Sequence, residues 1–313
     1  MGIFVSILLL LLGFVLLIKG ADFFVDGSSS IAKLIGIPSF VIGLTVVALG
    51  TSAPEAAVSI TAGISGSNEI AISNVIGSNI FNLLVVAGLC AVIKPYKIEN
   101  VMLKRDFPIN VIANAALLVM MLIGNVLGFI DGILLLIGIL SYVALVVWHA
   151  LKNRETADEE VKTMSPFKSI ICIIGGLAAI IFGGDLVVDN AVVIAEALNW
   201  SETFIGLTII AIGTSLPELV TSVVAARKGE SGLALGNVIG SNIFNLLFIL
   251  GLSTIFTPIP VDISAIINVI ILLVVTTLVY VFSTIKKGLG RISGGICVAG
   301  YAAYTAYLLM TTV

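Results

Sequence analysis

One long segment occurs twice in this chain. GLTVVALGTSAPEAAVSI begins at Gly43 and returns as GLTIIAIGTSLPELVTSV at Gly206, an offset of 163 residues. At the same offset NVIGSNIFNLL recurs without a change, and residues 43–89 share 26 identities in 47 positions with residues 206–252. An internal repeat of this length and quality predicts two halves with the same fold.

Long apolar stretches fill both halves. Only 11% of the residues are charged, against roughly a quarter in soluble proteins. Each stretch of about 20 residues is long enough to cross a hydrocarbon core of roughly 30 Å as a helix. The sequence predicts an all-α membrane protein with ten transmembrane helices. The predicted spans are 3–32, 38–64, 68–91, 108–124 and 129–150, then 168–197, 203–226, 231–255, 262–284 and 289–310. The predicted units are a first five-helix repeat at 1–150, a cytoplasmic linker at 151–163 and a second repeat at 164–313.

The placement of lysine and arginine predicts how the halves are oriented. Five spans per half bring the second half into the membrane from the opposite side, so the repeat is inverted. Fourteen of the fifteen basic residues fall in loops after odd-numbered spans, and Lys19 lies within the first span. Because short cytoplasmic loops collect such residues, we predict a multi-pass protein of the cell membrane with both termini outside. The N-terminal stretch lacks the basic start and cleavage site of a signal peptide, which predicts a retained span.

Polar motifs interrupt the apolar spans near the centre of the bilayer. GTSAPE and GTSLPE lie in spans two and seven, and GSN lies in spans three and eight. Pro54 and Pro217 lack a backbone N–H and are expected to break their helices. Gly77 and Gly240 are expected to loosen the partner helices. Broken helices that meet at mid-membrane in an inverted repeat are typical of the substrate site of a secondary transporter.

Glu55 and Glu218 are the residues that indicate the chemistry of this site. A carboxylate at this depth costs several kcal/mol unless something compensates it, and no lysine or arginine stands in the same motifs. A bound cation would compensate both charges. Hydroxyl, amide and carbonyl oxygens surround the pair, and such ligands suit calcium or sodium, whereas zinc, copper and iron favour sulfur and imidazole. Asn74 and Ser59, with their equivalents, fit equally well as small polar residues at tight helix contacts.

The duplicated GTS-x-PE and NVIGSNIFN motifs resemble the paired alpha repeats of the calcium/cation antiporter superfamily, specifically its sodium/calcium exchanger family in the compact prokaryotic form. The resemblance covers all ten predicted spans. It implies a central calcium site around Glu55 and Glu218 with carbonyls of Thr51 and Thr214, sodium sites that use Ser52, Ser78 and Ala48 in one half and Ser215, Ser241 and Ala211 in the other, and Asn82 and Asn245 facing the middle.

One departure from the family pattern concerns those middle positions. Many members of the family have an aspartate at one of them, whereas this chain has asparagine at both, Asn82 and Asn245. The site is therefore less acidic, which leaves the stoichiometry and potassium co-transport open. The short linker also lacks the large calcium-sensing domains that animal exchangers insert there.

These observations predict an antiporter, not an enzyme, that exchanges sodium for calcium by alternating access. Its expected partners are the two ions and the lipid bilayer, with no cofactor, no nucleic acid and no obligatory protein partner. A proton/calcium antiporter is the alternative, although proton-coupled relatives usually carry GN in place of GTS. Spans one and six are expected to slide past the centre. Their acidic pairs either attract cations at the mouths or cap helices and pair with Lys19; these residues are Asp22, Asp26, Asp185 and Asp189.

Overall fold

The computed structural model describes residues 3–65, 68–152, 163–198, 209 and 211–312, and nearly all of them are helical. In the first half, α1 covers Ile3–Ile35, α2 Ser39–Thr51, α3 Ala53–Ile64, α4 Ile70–Ile93, α5 Met102–Gly124 and α6 Phe129–Lys152. In the second half, α7 covers Pro166–Ala197, α8 Leu216–Lys228, α9 Ser231–Phe256, α10 Ile263–Lys286 and α11 Arg291–Thr312. A single helical turn, Ala211–Gly213, precedes α8.

The described helices confirm a multi-pass all-α membrane protein. Within the described ranges, eight helices are long and apolar enough to cross a membrane, and α2 with α3 makes a ninth span across a bend of 49°. The predicted seventh span begins at 203–208, outside the described residues, and continues into α8. Large apolar side chains such as Ile123, Leu140 and Ile292 are exposed on the outside of the bundle, as expected of surfaces that face lipid.

The fourth predicted span begins earlier than the sequence indicated. We expected 108–124, but α5 begins at Met102 with one turn of π-helix that includes Lys104 and Arg105. The reason is Asp106, which is fully buried and accepts hydrogen bonds from Arg105 at 2.8 Å and from the Tyr142 hydroxyl at 3.1 Å. A paired charge of this kind lets the helix extend past the end of the apolar stretch.

Helices α1 and α7 pack against each other as an antiparallel pair. A Cβ atom on Gly13 would lie 2.8 Å from the carbonyl oxygen of Gly183, and one on Gly20 would lie 2.8 Å from that of Gly176. Glycines spaced by seven residues on both helices thus allow their backbones to touch, as small residues do in membrane interfaces. The two long helices form one closely packed unit beside the rest of the bundle.

Two short antiparallel ladders tie loops of the two halves together. Strand β1, Tyr96–Lys97, pairs with β4, Gly288–Leu289, and β2, Val126–Leu127, pairs with β3, Ile259–Pro260. Strands β1 and β3 occupy equivalent positions of the repeat, so each half supplies one strand to each ladder. Of the long helices in the described ranges, α4 and α9 are the most buried, with 72% and 83% of their most apolar stretches inside the protein.

Candidate ion-binding site

Two breaks in helices define the centre of the molecule. The first lies at Ser52 between α2 and α3, with φ −81° and ψ 9°, and the second lies at Ser215 before α8, with φ −90° and ψ 5°. Pro54 and Pro217 stand in the first turn of the helix that follows, where the missing N–H removes no intrahelical bond. The prolines therefore end one half-helix and begin the next, as the sequence predicted.

The two glutamates are bonded crosswise between the halves. The Ser52 hydroxyl donates to Glu218 Oε1 at 2.8 Å, and the Ser215 hydroxyl donates to Glu55 Oε1 at 3.1 Å. Both glutamates are fully buried, and each is bonded to the serine that stands three residues before the other. The structure thus brings the two predicted acidic residues to one place at the interface of the halves.

The second oxygen of each carboxyl group is left without a partner. Glu55 Oε2 and Glu218 Oε2 make no hydrogen bond, and no ion pair within the described ranges includes either glutamate. A buried carboxylate oxygen that has neither a basic partner nor a hydrogen-bond donor raises the free energy of the folded protein. A bound cation would satisfy both oxygens, so the arrangement fits the ion site that the sequence predicted.

Further polar atoms around the glutamates are also unsatisfied. The Ser241 hydroxyl donates to Glu218 Oε1 at 3.3 Å, whereas the hydroxyl of its buried equivalent Ser78 has no hydrogen-bond partner. Asn82 and Asn245 are fully buried, and each begins one turn of π-helix, an irregularity that is frequent at functional sites. Asn82 Oδ1, Asn82 Nδ2 and Asn245 Oδ1 have no partner.

Amide side chains hold the threonines of the two breaks. The Thr51 hydroxyl donates to Asn237 Oδ1 at 3.0 Å, and Asn237 Nδ2 donates to the Ser222 hydroxyl at 2.9 Å. Asn237 of α9 thus binds the hydroxyl of Thr51 in α2 and the hydroxyl of Ser222 in α8. The equivalent chain in the other half runs from Thr214 to Asn74 at 3.4 Å and from Asn74 to Ser59 at 2.9 Å.

Two further predicted members of the site are alanines at equivalent positions of the two halves. Ala48 is buried in α2, and its carbonyl oxygen accepts the Ser52 N–H at 3.0 Å. The side chain of its equivalent, Ala211, lies outside the described residues. The ligand roles of all these residues stay predictions.

The expectation that the motif glycines loosen their helices was wrong for Gly77 and for Gly240. Helix α9 continues as α-helix through this residue, and its first irregularity is the π-turn at Asn245. Gly240 instead permits close packing, because a Cβ atom there would lie 2.7 Å from the carbonyl oxygen of Leu44. Helix α4 is likewise continuous through Gly77.

The acidic pair on α1 has a partner that the sequence did not indicate. Lys228 Nζ lies 2.7 Å from Asp26 Oδ1 and 3.3 Å from Asp22 Oδ1, whereas Lys19 reaches Asp22 only at 4.0 Å. Lys228 ends α8, more than 200 positions along the chain, so no local pattern connects it with α1. The first acidic pair is therefore fastened to the helix that carries Glu218.

The donor set is oxygen throughout. The described part of the chain holds no group of three or more histidine, cysteine, aspartate or glutamate residues that could bind a metal. The centre offers two carboxyl groups with neutral hydroxyl and amide oxygens. Such ligands suit hard cations that are bound and released, since calcium takes about six to eight oxygens.

Half-helices that meet between two buried carboxyl groups, neither of them in an ion pair within the described residues, are typical of a secondary cation transporter. The profile of the sodium/calcium exchanger protein family matches residues 5–148 and 168–310. The sodium/calcium exchanger MaX1 of Methanosarcina acetivorans is 35% identical over 97% of this chain and 98% of its own length. The inner membrane protein YrbG of Escherichia coli is 37% identical over 81% of each chain.

The fold comparison agrees with the sequence comparison. A structure of the sodium-calcium exchanger NCX_Mj soaked with zero Na+ and Ca2+ superposes with a TM-score of 0.88 at 34% identity, covering 98% of this chain and 100% of that one. This chain belongs to the sodium/calcium exchanger family. It is a cation antiporter of compact prokaryotic type and not an enzyme, which confirms the class predicted from the duplicated motifs.

Proposed function

We propose that the protein exchanges sodium for calcium across the cell membrane, with Glu55 and Glu218 as the shared centre of the ion sites. The crosswise bonds to Ser52 and Ser215 carry the proposal, since each occupies one carboxylate oxygen and leaves the other for a cation. Two negative charges match one divalent ion or two monovalent ions. The same site can therefore hold either load in turn.

Neutralisation by the ions couples the two fluxes. An empty site with two charges crosses an apolar barrier at a cost of several kcal/mol, whereas a loaded site does not carry that cost. Movement without ions is thereby suppressed, and exchange replaces leak. In this scheme Ala48, Thr51, Ser52, Glu55, Ser78 and Asn82 contribute from the first half, and Ala211, Thr214, Ser215, Glu218, Ser241 and Asn245 contribute from the second.

The α1–α7 pair is the element that opens either face. Its contacts with the two breaks are apolar: a Cβ atom on Gly50 would lie 3.1 Å from Leu177 Cδ1, and one on Gly213 would contact Val188. Glycine against apolar side chains gives a surface without directional bonds, along which the pair can slide. The distribution of basic residues supports an orientation with the linker and Lys228 in the cytoplasm and both termini outside.

Sodium-driven calcium uptake tests the proposal. Purified protein in sealed vesicles loaded with sodium should accumulate calcium-45 when the external sodium is replaced by choline, and a protonophore should not change the initial rate. Glu55→Gln in the same vesicles should take up no more calcium than empty vesicles. Uptake that follows a pH gradient and stops with the protonophore would contradict sodium coupling and favour proton exchange. Uptake that persists without any counter-ion inside would contradict antiport.

A further inference from the structure

Asn82 and Asn245 are equivalent in the repeat but differ in their hydrogen bonds. Asn245 Nδ2 donates to Asn79 Oδ1 at 3.1 Å, while Asn245 Oδ1 has no partner. Neither polar atom of Asn82 makes a hydrogen bond. All three side chains are fully buried. One middle asparagine is therefore held in a single orientation by a neighbour and the other is not.

The orientation of Asn79 is itself determined by the backbone. Asn79 Nδ2 donates to the carbonyl oxygen of Asn242 at 3.1 Å. Only the amide nitrogen can donate to a carbonyl, so Asn79 Oδ1 is left as an acceptor. Asn245 can bind that oxygen only through its own nitrogen, and its oxygen must then point away from Asn79.

The equivalent arrangement on the other side is incomplete. Asn242 Nδ2 donates to the carbonyl oxygen of Asn79 at 3.1 Å, the same distance as in the reciprocal bond. Asn242 Oδ1, however, has no partner, and Asn82 is not bonded to it. The two backbone bonds are thus matched, and only the bond to the middle asparagine differs.

Asn245 lies on the face of α9 that is turned toward Glu218. Asn245 follows Ser241 by four residues and therefore shares its helical face. The Ser241 hydroxyl donates to Glu218 Oε1 at 3.3 Å. An unpartnered, fully buried oxygen on this face is available to the ion that the two carboxyl groups would hold.

We propose that Asn79 is a positioning residue that turns Asn245 into an oxygen ligand for the transported cation, while Asn82 stays free to rotate. The inference rests on the proposed ion site. An amide binds a cation through its oxygen alone and presents positive hydrogens when it is flipped. A carboxylate needs no such guidance, because both of its oxygens are acceptors. A hydrogen bond that orients the amide therefore matters in a chain with asparagine at both middle positions.

Asn79→Ala and Asn242→Ala form a matched pair that tests this role. Each variant loses one backbone bond of 3.1 Å, so the structural loss is the same. Only Asn79→Ala also frees Asn245, and we expect its half-saturating calcium concentration to rise about fivefold to tenfold, as loss of one hydrogen-bonded orientation implies. The maximal rate per folded molecule should change alike in both variants. Asn79→Leu and Asn242→Leu, which keep the side-chain volume, replace any alanine variant that does not elute as a folded protein.

The parent protein is measured first, because its failure to exchange calcium would refute the proposed function and not this inference. If the parent exchanges calcium and the two variants have equal half-saturating concentrations, Asn79 has no positioning role. Asn245→Asp provides a second arm. In that background Asn79→Ala should raise the half-saturating concentration by less than about twofold, since the carboxylate needs no orientation. The same rise in both backgrounds would overturn the inference.

Discussion

The two halves are alike in the hydrogen bonds of their central glutamates but differ in the ion pairs of the acidic residues on α1 and α7. At the centre, Glu55 and Glu218 receive equivalent serine bonds of 3.1 and 2.8 Å. Toward one face, Asp22 and Asp26 share Lys228. The hydrogen bonds follow the symmetry of the repeat at the centre, where each half supplies one glutamate.

Toward the other face the corresponding lysine is missing. Ser65 occupies the position equivalent to Lys228, and no ion pair within the described residues includes Asp185 or Asp189. On the same side as Lys228, Lys33 Nζ lies 3.5 Å from Glu230 Oε1 and forms a further ion pair between α1 and the core. The α1–α7 pair is therefore tied by charge to the core at its linker-side end only. We expect this asymmetry to bias the proposed movement between the two openings.

The largest effects are expected from the centre, where the halves should respond alike. Glu55→Gln and Glu218→Gln each remove one charge from a buried ion site, a change worth about 2 to 5 kcal/mol, so calcium exchange should fall at least thirtyfold to a hundredfold in both. Initial rates of calcium-45 uptake, normalised to monodisperse protein, measure this. Near-normal transport by either variant would refute the site and the equivalence of the halves.

The next effect concerns the packing that joins α1 to α7. Gly20→Leu forces a side chain against Gly176, whose carbonyl oxygen lies 2.8 Å from the Cβ position, whereas Gly175→Leu is a matched control because nothing lies within 4 Å of its Cβ position. Overpacking costs about 1 to 3 kcal/mol, so the melting temperature of Gly20→Leu in detergent should fall by roughly 5 °C. Equal melting temperatures for the two variants would show that the helices are not held by this contact.

A third prediction sharpens the comparison within the centre itself. Asn245→Asp adds a carboxylate on the helical face that is turned toward Glu218. It should steepen the dependence of calcium exchange on sodium, because a third negative charge recruits more sodium before the site is neutral. The Hill slope for sodium is the measurement, with Asn82→Asp as the equivalent variant in the other half. An unchanged slope in Asn245→Asp would show that this position does not contribute to the sodium load.

The smallest effect is expected from the ion pairs between Lys228 and the two aspartates of α1. Lys228→Gln releases the α1 carboxylates, and because partly exposed ion pairs contribute only about 0.2 to 1 kcal/mol each, the exchange rate should change by about twofold to fivefold. Ser65→Lys should change it in the opposite direction by creating the missing pair at the other face. Lys286→Gln on the same side as Lys228 is the control.

Ionic strength provides the readout for this last comparison. Added choline chloride screens exposed charges, so it should shift the parent rate toward that of Lys228→Gln and leave the variant unchanged. If Lys228→Gln and Lys286→Gln behave alike, the lysine does not bias the two openings.

Local patterns explain how much of this architecture the sequence could predict. Proline beside glutamate in an apolar stretch marks both breaks, and the duplication transfers each inference from one half to the other. The helices, the class of protein and the convergence of Glu55 with Glu218 followed from these patterns. All of them depend on residues that are close in the chain or related by the repeat.

Contacts between distant segments could not be predicted in the same way. The bonds from Ser52 to Glu218, from Lys228 to Asp26 and from Asn245 to Asn79 join residues at least 160 positions apart. Which side chains meet is decided by the packing of the helices, and hydrophobic periodicity carries no information on it. The repeat also implied equal roles for Asn82 and Asn245, yet their surroundings differ.

Equilibrium calcium binding by the detergent-solubilised protein tests most directly whether mobile cations neutralise the two buried carboxylates. With calcium-45 and increasing sodium, the parent should bind calcium in competition with sodium, and the double variant Glu55→Gln/Glu218→Gln should bind none above background. Calcium binding that survives in the folded double variant, or that sodium cannot displace from the parent, would contradict the account.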